Sequence, residues 1–338
     1  MNTQRPTDLA IALRGFFHNH LPQVMGASAH TIWSYRDSLK LLLTFVARDG
    51  RKPESLSFDD LSVHRVIDFL SYLETERGNA VSTRNNRLAA IHSFFRYVAS
   101  VAPDHLELAQ RILAIPLKRA GTRVVEYFQF DEFQAVLNRI DLTTECGRRD
   151  HALLVFMFNT GARAQEVCDL RGSDLSLAAP LSVRIVGKGR KQRICPIWSV
   201  TARQLGELME EKGIDPREPV PVFTNRRGNP LTRFGIRYIL DKRVSDAAAS
   251  CRTLEGRRLH PHSIRHSTAV HLLKSGVDLA SIAAWLGHAS VNTTGKYAAI
   301  DLDMKREAIA RAAPPSDRTE ESPRPWHSPD ILAWLEAL

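Results

Sequence analysis

Apolar residues recur every three or four positions through most of this chain, which is the spacing of one face of an α-helix. Between residues 31 and 46 the series is Ile32, Tyr35, Leu39, Leu42, Leu43 and Val46. The same spacing predicts further helices beginning after Ser57, near residue 82, over residues 131–140 and 151–158, and near residue 162. A chain with this pattern folds mainly into packed helices.

One segment departs from the helical spacing. In residues 181–197, LSVRIVGKGRKQRICPI, Val183 and Ile185 alternate with polar residues, and a Gly-Lys-Gly turn follows at 187–189. Alternation with a period of two, followed by a glycine-rich turn, predicts a β-hairpin. The predicted fold class is therefore mainly α with a small β-sheet or hairpin.

The length of 338 residues suggests two domains and a short appendage. Ile115-Pro116 ends the first helical region, and a proline-rich stretch begins at Pro314. The expected divisions are a helical domain at 7–115, a linker at 116–126, a second domain at 127–312, and a tether with a short amphipathic helix at 313–338.

Positive charge exceeds negative charge, with 46 Lys and Arg against 37 Asp and Glu, a net charge of +9. Such a balance fits a polyanionic partner, although some basic proteins have none. Residues 110–125 contain four cations and no acid. This stretch is either a connector that lies along a polyanion or a plain surface loop.

Several cations are candidate contacts to nucleic-acid phosphates. One group shares a face of the predicted helix that starts near residue 82, and a solvated face is the alternative reading for that group. Others lie in the linker and at the hairpin tip. The candidates are Arg84, Arg87, Arg96, Lys118, Arg119, Arg190 and Lys191.

Some functional classes are excluded by the sequence. No run of 18 apolar residues and no signal peptide occurs, so we expect a cytoplasmic protein with no membrane contact. The four cysteines have no CxxC spacing, which argues against a zinc site, a redox motif or a disulfide framework. His262 and His266 have i,i+4 spacing but lack a glutamate after the first histidine and enclose Arg265, which disfavours a metal site.

Four short motifs carry residues with chemical potential. They are TGARAQE at 160–166, GKGRKQR at 187–193, PHSIRH at 261–266 and LGHASVNTTGKY at 286–297. Each is ambiguous alone. Arg163 at a helix start could bind an anion or serve the fold, Lys188 could be a mobile reagent or part of a basic turn, and Tyr297 could be a nucleophile or a core aromatic.

Together, and in this order, the four motifs resemble those of the tyrosine recombinase (phage integrase) family, in particular its Xer-like and transposon-borne members. The resemblance is strong over about residues 127–312. The segments SAHTIWSYRDSLK and STRNNRLAAIHSFFRYV also look like the family's helical core-binding, SAM-like domain. The resemblance implies a two-domain, C-shaped DNA clamp whose second domain is the catalytic one.

The resemblance implies phosphoryl transfer on DNA without metal, ATP or another cofactor. The implied catalytic residues are Arg163, Lys188, His262, Arg265, His288 and Tyr297. Tyr297 would attack the backbone to give a 3′-phosphotyrosine, and Lys188 would protonate the departing 5′-oxygen. His262 would be the acid–base partner of the tyrosine, although which histidine deprotonates Tyr297 stays open.

Phosphate binding falls to the other three residues. Arg163 and Arg265 would hold the non-bridging oxygens, since a guanidinium is permanently charged and offers a planar fork of donors. His288 would donate a hydrogen bond to the same phosphate. The implied partners are double-stranded recombination sites and a homotetramer on two duplexes, with related recombinases or accessory proteins as further possibilities.

The biological roles implied are DNA integration, transposition of a mobile element, or resolution of dimeric replicons. The alternatives are DNA relaxation of the type IB topoisomerase kind, a DNA-binding regulator that does not cut, and a metal-dependent nuclease. The apolar stripe of the C-terminal helix, residues 329–338, could dock on a neighbouring protomer or on its own domain.

Overall fold

The structure is a computed structural model that describes residues 6–119, 121, 126–187, 189 and 191–287. Predictions that concern Lys188, Arg190, His288, Tyr297 and the segment 313–338 lie outside these residues. The chain divides into two compact units, residues 1–123 and 124–338. Among the described helices, none has the length and apolar character needed to cross a membrane.

The predicted fold class is confirmed, because the described chain is mostly helical and contains a small three-stranded sheet. The first unit is entirely helical over its described residues. Its helices are α1 (Asp8–Gly15), continued by a π-helical segment (Phe16–Val24), α2 (Ala29–Val46), α3 (Val63–Thr75), α4 (Val81–Val101) and α5 (Leu106–Leu113).

The helix expected after Ser57 begins six residues later. The Asp60 carboxylate accepts hydrogen bonds from the Ser57 N–H at 2.8 Å and from its hydroxyl at 3.2 Å, which closes a separate short turn. Ser62 then caps α3 by accepting from the Arg65 N–H. The apolar spacing was continuous across this region, so two serines compete as helix starts and side-chain hydrogen bonding decides between them.

The core of the first unit is aromatic. Phe16 lies between helices, with its ring 5.4 Å from Phe94 in an edge-to-face arrangement and 6.4 Å from Tyr35 in a stacked one. Phe58 and Phe95 are buried beside them. Buried aromatic pairs of this kind stabilise a helical bundle through apolar burial together with ring electrostatics.

The second unit combines the three-stranded sheet with helices. They are α6 (Phe130–Asn138), α7 (Glu145–Thr160), α8 (Ala164–Cys168), α9 (Ser199–Glu211), α10 (Arg233–Ala248), α11 (Pro261–Lys274) and α12 (Leu279–Leu286). Every residue of α7 from Ala152 to Thr160 is buried, and α7 packs against α9 and α11. It is the central helix of this unit.

The sheet contains the predicted hairpin and one strand that the sequence did not indicate. Strands β2 (Ser182–Val186) and β3 (Gln192–Pro196) pair antiparallel, with Ile185 opposite Arg193. The additional strand β1 (Leu175–Ser176) pairs with the start of β2. A two-residue strand is too short for alternation to be visible, so its position could only come from pairing.

Candidate active site

Among the predicted site residues that the structure describes, Arg265 is the most deeply buried, with 3% of its surface exposed. It lies in the second turn of α11, and its guanidinium donates to the carbonyl oxygens of Gly161 at 2.7 Å and Leu286 at 2.6 Å. These carbonyls belong to the C-terminal ends of α7 and α12, where main-chain oxygens lack partners within their helix and carry partial negative charge. One side chain therefore joins three helices at one point.

The close approach of these helices depends on Gly161. Its φ of +60° is the left-handed conformation that ends α7, and a Cβ there would lie 2.3 Å from Cδ2 of Leu286. The preceding residue, Thr160, donates its hydroxyl to the Phe156 carbonyl and accepts from the Ala162 N–H. The Thr-Gly pair thus turns the chain sharply out of α7 and leads it directly to Arg163.

Arg163 stands at the N-cap of α8, two residues after the carbonyl that Arg265 binds. Its main-chain N–H donates to Glu166 at 2.9 Å, and its guanidinium donates to the other oxygen of that carboxylate at 2.7 Å. A third of the side chain remains exposed. Arg163 is therefore oriented by Glu166 while still reaching the surface at a helix start, a position that favours anions.

Glu166 is a buried carboxylate shared by two arginines. Its side chain is 4% exposed, and Arg193 on β3, itself 10% exposed, donates to both of its oxygens at 3.2 and 2.8 Å. Burial by itself would raise the pKa of the Glu166 carboxyl, but the hydrogen bonds and the charge of Arg193, with the bonds from Arg163, lower this pKa below its ordinary value. The carboxylate is therefore ionised at neutral pH.

Arg193 also reaches the end of α12. Its Nε donates to the carbonyl oxygen of Trp285 at 2.9 Å, and the indole N–H of Trp285 donates to the Asn159 carbonyl at 3.2 Å. The Asn159 amide oxygen accepts from the Trp198 N–H at 2.8 Å. The sheet, α7 and α12 are connected through this chain of hydrogen bonds.

The structure links the chain segments that carry part of the predicted constellation. Arg265 binds the main chain two residues before Arg163 and two residues before His288. His262 is exposed at the second residue of α11, one turn before Arg265. Lys188, His288 and Tyr297 lie outside the described residues, although Gly187 and Gly287, which directly precede two of them, are described.

The predicted DNA contacts of the first unit differ in exposure. Arg96 is exposed, whereas Arg84 is only 6% exposed and donates to the Pro116 carbonyl at 3.2 Å. Asn85, next to it, exchanges two hydrogen bonds with the main chain of Lys118. Arg84 thus serves to hold the start of the connector, and its burial argues against a DNA contact.

The other candidates remain predicted DNA contacts. Arg87 is half-buried, and Arg119 and Lys191 are exposed. Lys118 is exposed and pairs with Glu74 at 2.5 Å. Its charge is therefore partly neutralised within the first unit.

No cluster of three or more metal-ligating side chains occurs within the part of the chain that the structure describes. Burial raises the pKa of the Cys168 thiol to about 11 and that of the Cys195 thiol to about 12. Both thiols are protonated at neutral pH, and a protonated thiol is a weak nucleophile. These cysteines belong to the core.

The sequence predicts no function for Glu166 or Arg193, although both stand inside the motifs at 160–166 and 187–193. A signal existed for Glu166, since a glutamate three residues after a helix N-cap is the acceptor of a capping box. For Arg193 the sequence offered only a basic run. Its partners are 27 and 92 positions away along the chain, and no local pattern reveals such contacts.

Both units of the chain match known protein families. Residues 126–303 match the phage integrase family, and residues 15–100 match the phage integrase N-terminal SAM-like domain. An integrase/recombinase of Sinorhizobium fredii, y4rC, is 40% identical over 336 residues, covering 98% of each chain. The tyrosine recombinase XerC of Bacillus licheniformis is 33% identical over 286 residues, covering 83% of this chain and 89% of XerC.

Solved structures show the same fold. The Tn1549 transposon integrase in complex with a circular intermediate DNA aligns with a TM-score of 0.67 and 16% identity, over 90% of this chain and 99% of the integrase. XerH recombinase bound to a palindromic difH substrate aligns with a TM-score of 0.65 and 22% identity, over 84% and 80% of the two chains. From the matched motifs, the matched domains and these relatives, the chain belongs to the phage integrase family of tyrosine recombinases.

Proposed function

We propose that this protein is a site-specific DNA recombinase that cuts and rejoins duplex DNA through a covalent 3′-phosphotyrosine. The observation that carries the proposal is the hydrogen bonding of Arg265 to the carbonyls of Gly161 and Leu286. These contacts gather at one point the chain that leads to Arg163 and the chain that leads to His288.

The reaction is an in-line exchange at phosphorus. The phenol oxygen of Tyr297 forms a bond to phosphorus, the bond to the 5′-oxygen breaks, and Lys188 supplies the proton that the departing oxygen needs. His262, exposed at the start of α11, accepts the phenol proton. Because the phosphotyrosine retains the energy of the phosphodiester, attack by another 5′-hydroxyl reverses the step and joins a new strand.

Electrostatic stabilisation of the transition state falls to the two arginines. Charge accumulates on the non-bridging oxygens as the tyrosine attacks, and preorganised guanidinium groups stabilise that charge without reorganising. Arg265 is held rigidly by two main-chain oxygens, and Arg163 by Glu166. Donors that are already held in place stabilise the charge on the phosphate without a cost of reorganisation.

The proposed substrate is a double-stranded recombination site. The XerH and Tn1549 integrase structures contain DNA, and the linker at 116–126 together with Arg87 and Arg96 of α4 would contact its phosphates in this protein. We propose that four protomers act on two duplexes, since four strands must be cut. We place the activity in the cytoplasm, where bacterial DNA lies, and assign it to integration, transposition or replicon resolution.

A nicked suicide substrate tests the proposal directly. Cleavage close to a nick releases a short fragment that diffuses away, so the covalent adduct accumulates and migrates slowly on a denaturing gel. The wild-type chain should form this adduct in EDTA, and Tyr297→Phe should not. An adduct that persists in Tyr297→Phe would show that another residue is the nucleophile.

A further inference from the structure

Two glycines that lead to predicted catalytic residues contact the same buried ion pair. A Cβ on Gly187, directly before Lys188, would lie 3.2 Å from the Glu166 carboxylate and 3.8 Å from the Arg193 guanidinium. A Cβ on Gly287, directly before His288, would lie 3.2 Å from both Cδ and Nη1 of Arg193. A side chain at either glycine would press against the pair, so the main chain lies close to it at both places.

Arg193 donates hydrogen bonds to two separate partners, Glu166 and Trp285. Its Nη1 and Nη2 donate to the two carboxylate oxygens of Glu166, and the same carboxylate accepts a hydrogen bond from Arg163. Its Nε donates to the Trp285 carbonyl at the end of α12. On β3, Arg193 stands opposite Ile185, two residues before Gly187, whose N–H donates to the Lys191 carbonyl across the hairpin. The entry to the hairpin tip and the exit from α12 thus both lie against the ion pair of Arg193 and Glu166.

We propose that Arg193 is a positioning residue, which through its ion pair with Glu166 sets the placement of the general acid Lys188 and of the phosphate-binding His288 together. This inference rests on the proposed function, because the roles of Lys188 and His288 come from it. Arg193 itself touches neither DNA nor the reacting atoms in this scheme. Its effect on the reaction passes through the two glycines that lie against it.

A substrate with sulfur in place of the 5′-bridging oxygen separates an effect on Lys188 from an effect on His288. A thiolate leaves without a proton, so a defect in delivering Lys188 disappears on this substrate, whereas a defect in phosphate binding remains. The readout is the single-turnover rate of adduct formation on the oxygen and sulfur substrates. It distinguishes a positioning role from a general loss of folded protein, which lowers both rates by the same factor.

Three variants test the placement of Lys188 and of His288. Arg193→Gln should slow cleavage of the oxygen substrate by about 10²-fold or more, within the range for general acid–base catalysis, and regain at least about tenfold on the sulfur substrate. Gly187→Ala should show a smaller loss that the sulfur substrate abolishes. Gly287→Ala, whose φ of +64° also disfavours a side chain, should show a loss that sulfur does not repair.

The matched control is Arg184→Gln, on the same hairpin but half exposed and paired with Asp174. It should cleave both substrates at the wild-type rate. The double variant Glu166→Gln with Arg193→Gln should lose less activity than the two single losses multiplied together, because two residues of one ion pair do not act independently.

Two results would overturn the proposal. One is an equal loss on both substrates in Arg193→Gln and Gly187→Ala, and the other is wild-type cleavage of the oxygen substrate by Arg193→Gln. Gly187→Ala keeps the Glu166–Arg193 pair, so it answers the question even where Arg193→Gln fails to fold. A wild-type chain that forms no adduct on either substrate would refute the proposed function itself.

Discussion

Replacement of Arg265 by alanine should destabilise the protein as well as abolish cleavage. The side chain is buried and donates to the carbonyl oxygens of Gly161 and Leu286, which end two helices. Alanine supplies no donor, and the surrounding core gives water little access to these oxygens. Both carbonyls would lose a charged hydrogen-bond partner.

The magnitude follows from these contacts. A hydrogen bond to a charged group contributes about 1.5–3 kcal/mol, so two such bonds amount to roughly 3–6 kcal/mol. For a unit of about 150–250 residues, each kcal/mol changes the melting temperature by about 2–4 °C. The second unit of Arg265→Ala should therefore melt roughly 6–24 °C below the wild type.

Thermal unfolding followed by circular dichroism measures this difference, and the suicide-substrate assay measures cleavage on the same samples. The matched variant is Arg163→Ala, whose side chain is one-third exposed and whose partner Glu166 keeps Arg193. It should lose cleavage with a destabilisation of no more than about 1 kcal/mol. If Arg265→Ala melted together with the wild type, the carbonyl contacts would contribute nothing to stability and the reasoning would fail.

Three further predictions concern buried polar groups of the same unit. The folded pKa of the Glu166 carboxyl lies below its ordinary value of 4.5, so this carboxylate stabilises the fold fully above pH 4.5 and loses this contribution as the pH falls below it. The melting temperature of Glu166→Gln should therefore fall less between pH 7 and pH 3.5 than that of the wild type. Parallel melting curves for the two proteins would refute this. Asp150 is buried between Arg149 and Arg243, with contacts of 2.6 Å to each, so Asp150→Asn should cost about 3–5 kcal/mol in urea unfolding. Thr268→Val removes a buried hydroxyl that donates to two main-chain carbonyls and should cost about 1 kcal/mol in the same measurement, with cleavage retained.

The sequence predicted most of what local patterns determine. The helix expected around residues 31–46 is present as Ala29–Val46, and the hairpin at 181–197 forms with its strands at 182–186 and 192–196. The start of α3 was wrong because two serines were equivalent helix starts on apolar spacing alone. Asp60 decides between them by bonding back to Ser57.

Prediction of the site failed where the information is long-range. The motifs identified Arg163 and Arg265, since each stands in a recognisable local context. Arg193 was indistinguishable from the neighbouring cations of its basic run, because burial and the bonds to Glu166 and Trp285 appear only after the sheet packs against α8 and α12. Arg84 shows the converse, since its place on a basic helix face suggested exposure and packing buried it.

Arg265 combines a structural role with its proposed chemical role. A guanidinium carries five N–H donors in a rigid plane, so one group can hold two helix ends and bind a phosphate without changing its orientation. The carbonyls of Gly161 and Leu286 fix that plane. Lysine would retain the charge but not the fork, so Arg265→Lys should recover part of the stability that alanine loses while cleaving far more slowly than the wild type. Wild-type cleavage by Arg265→Lys would show that charge alone suffices and that the fixed plane has no catalytic role.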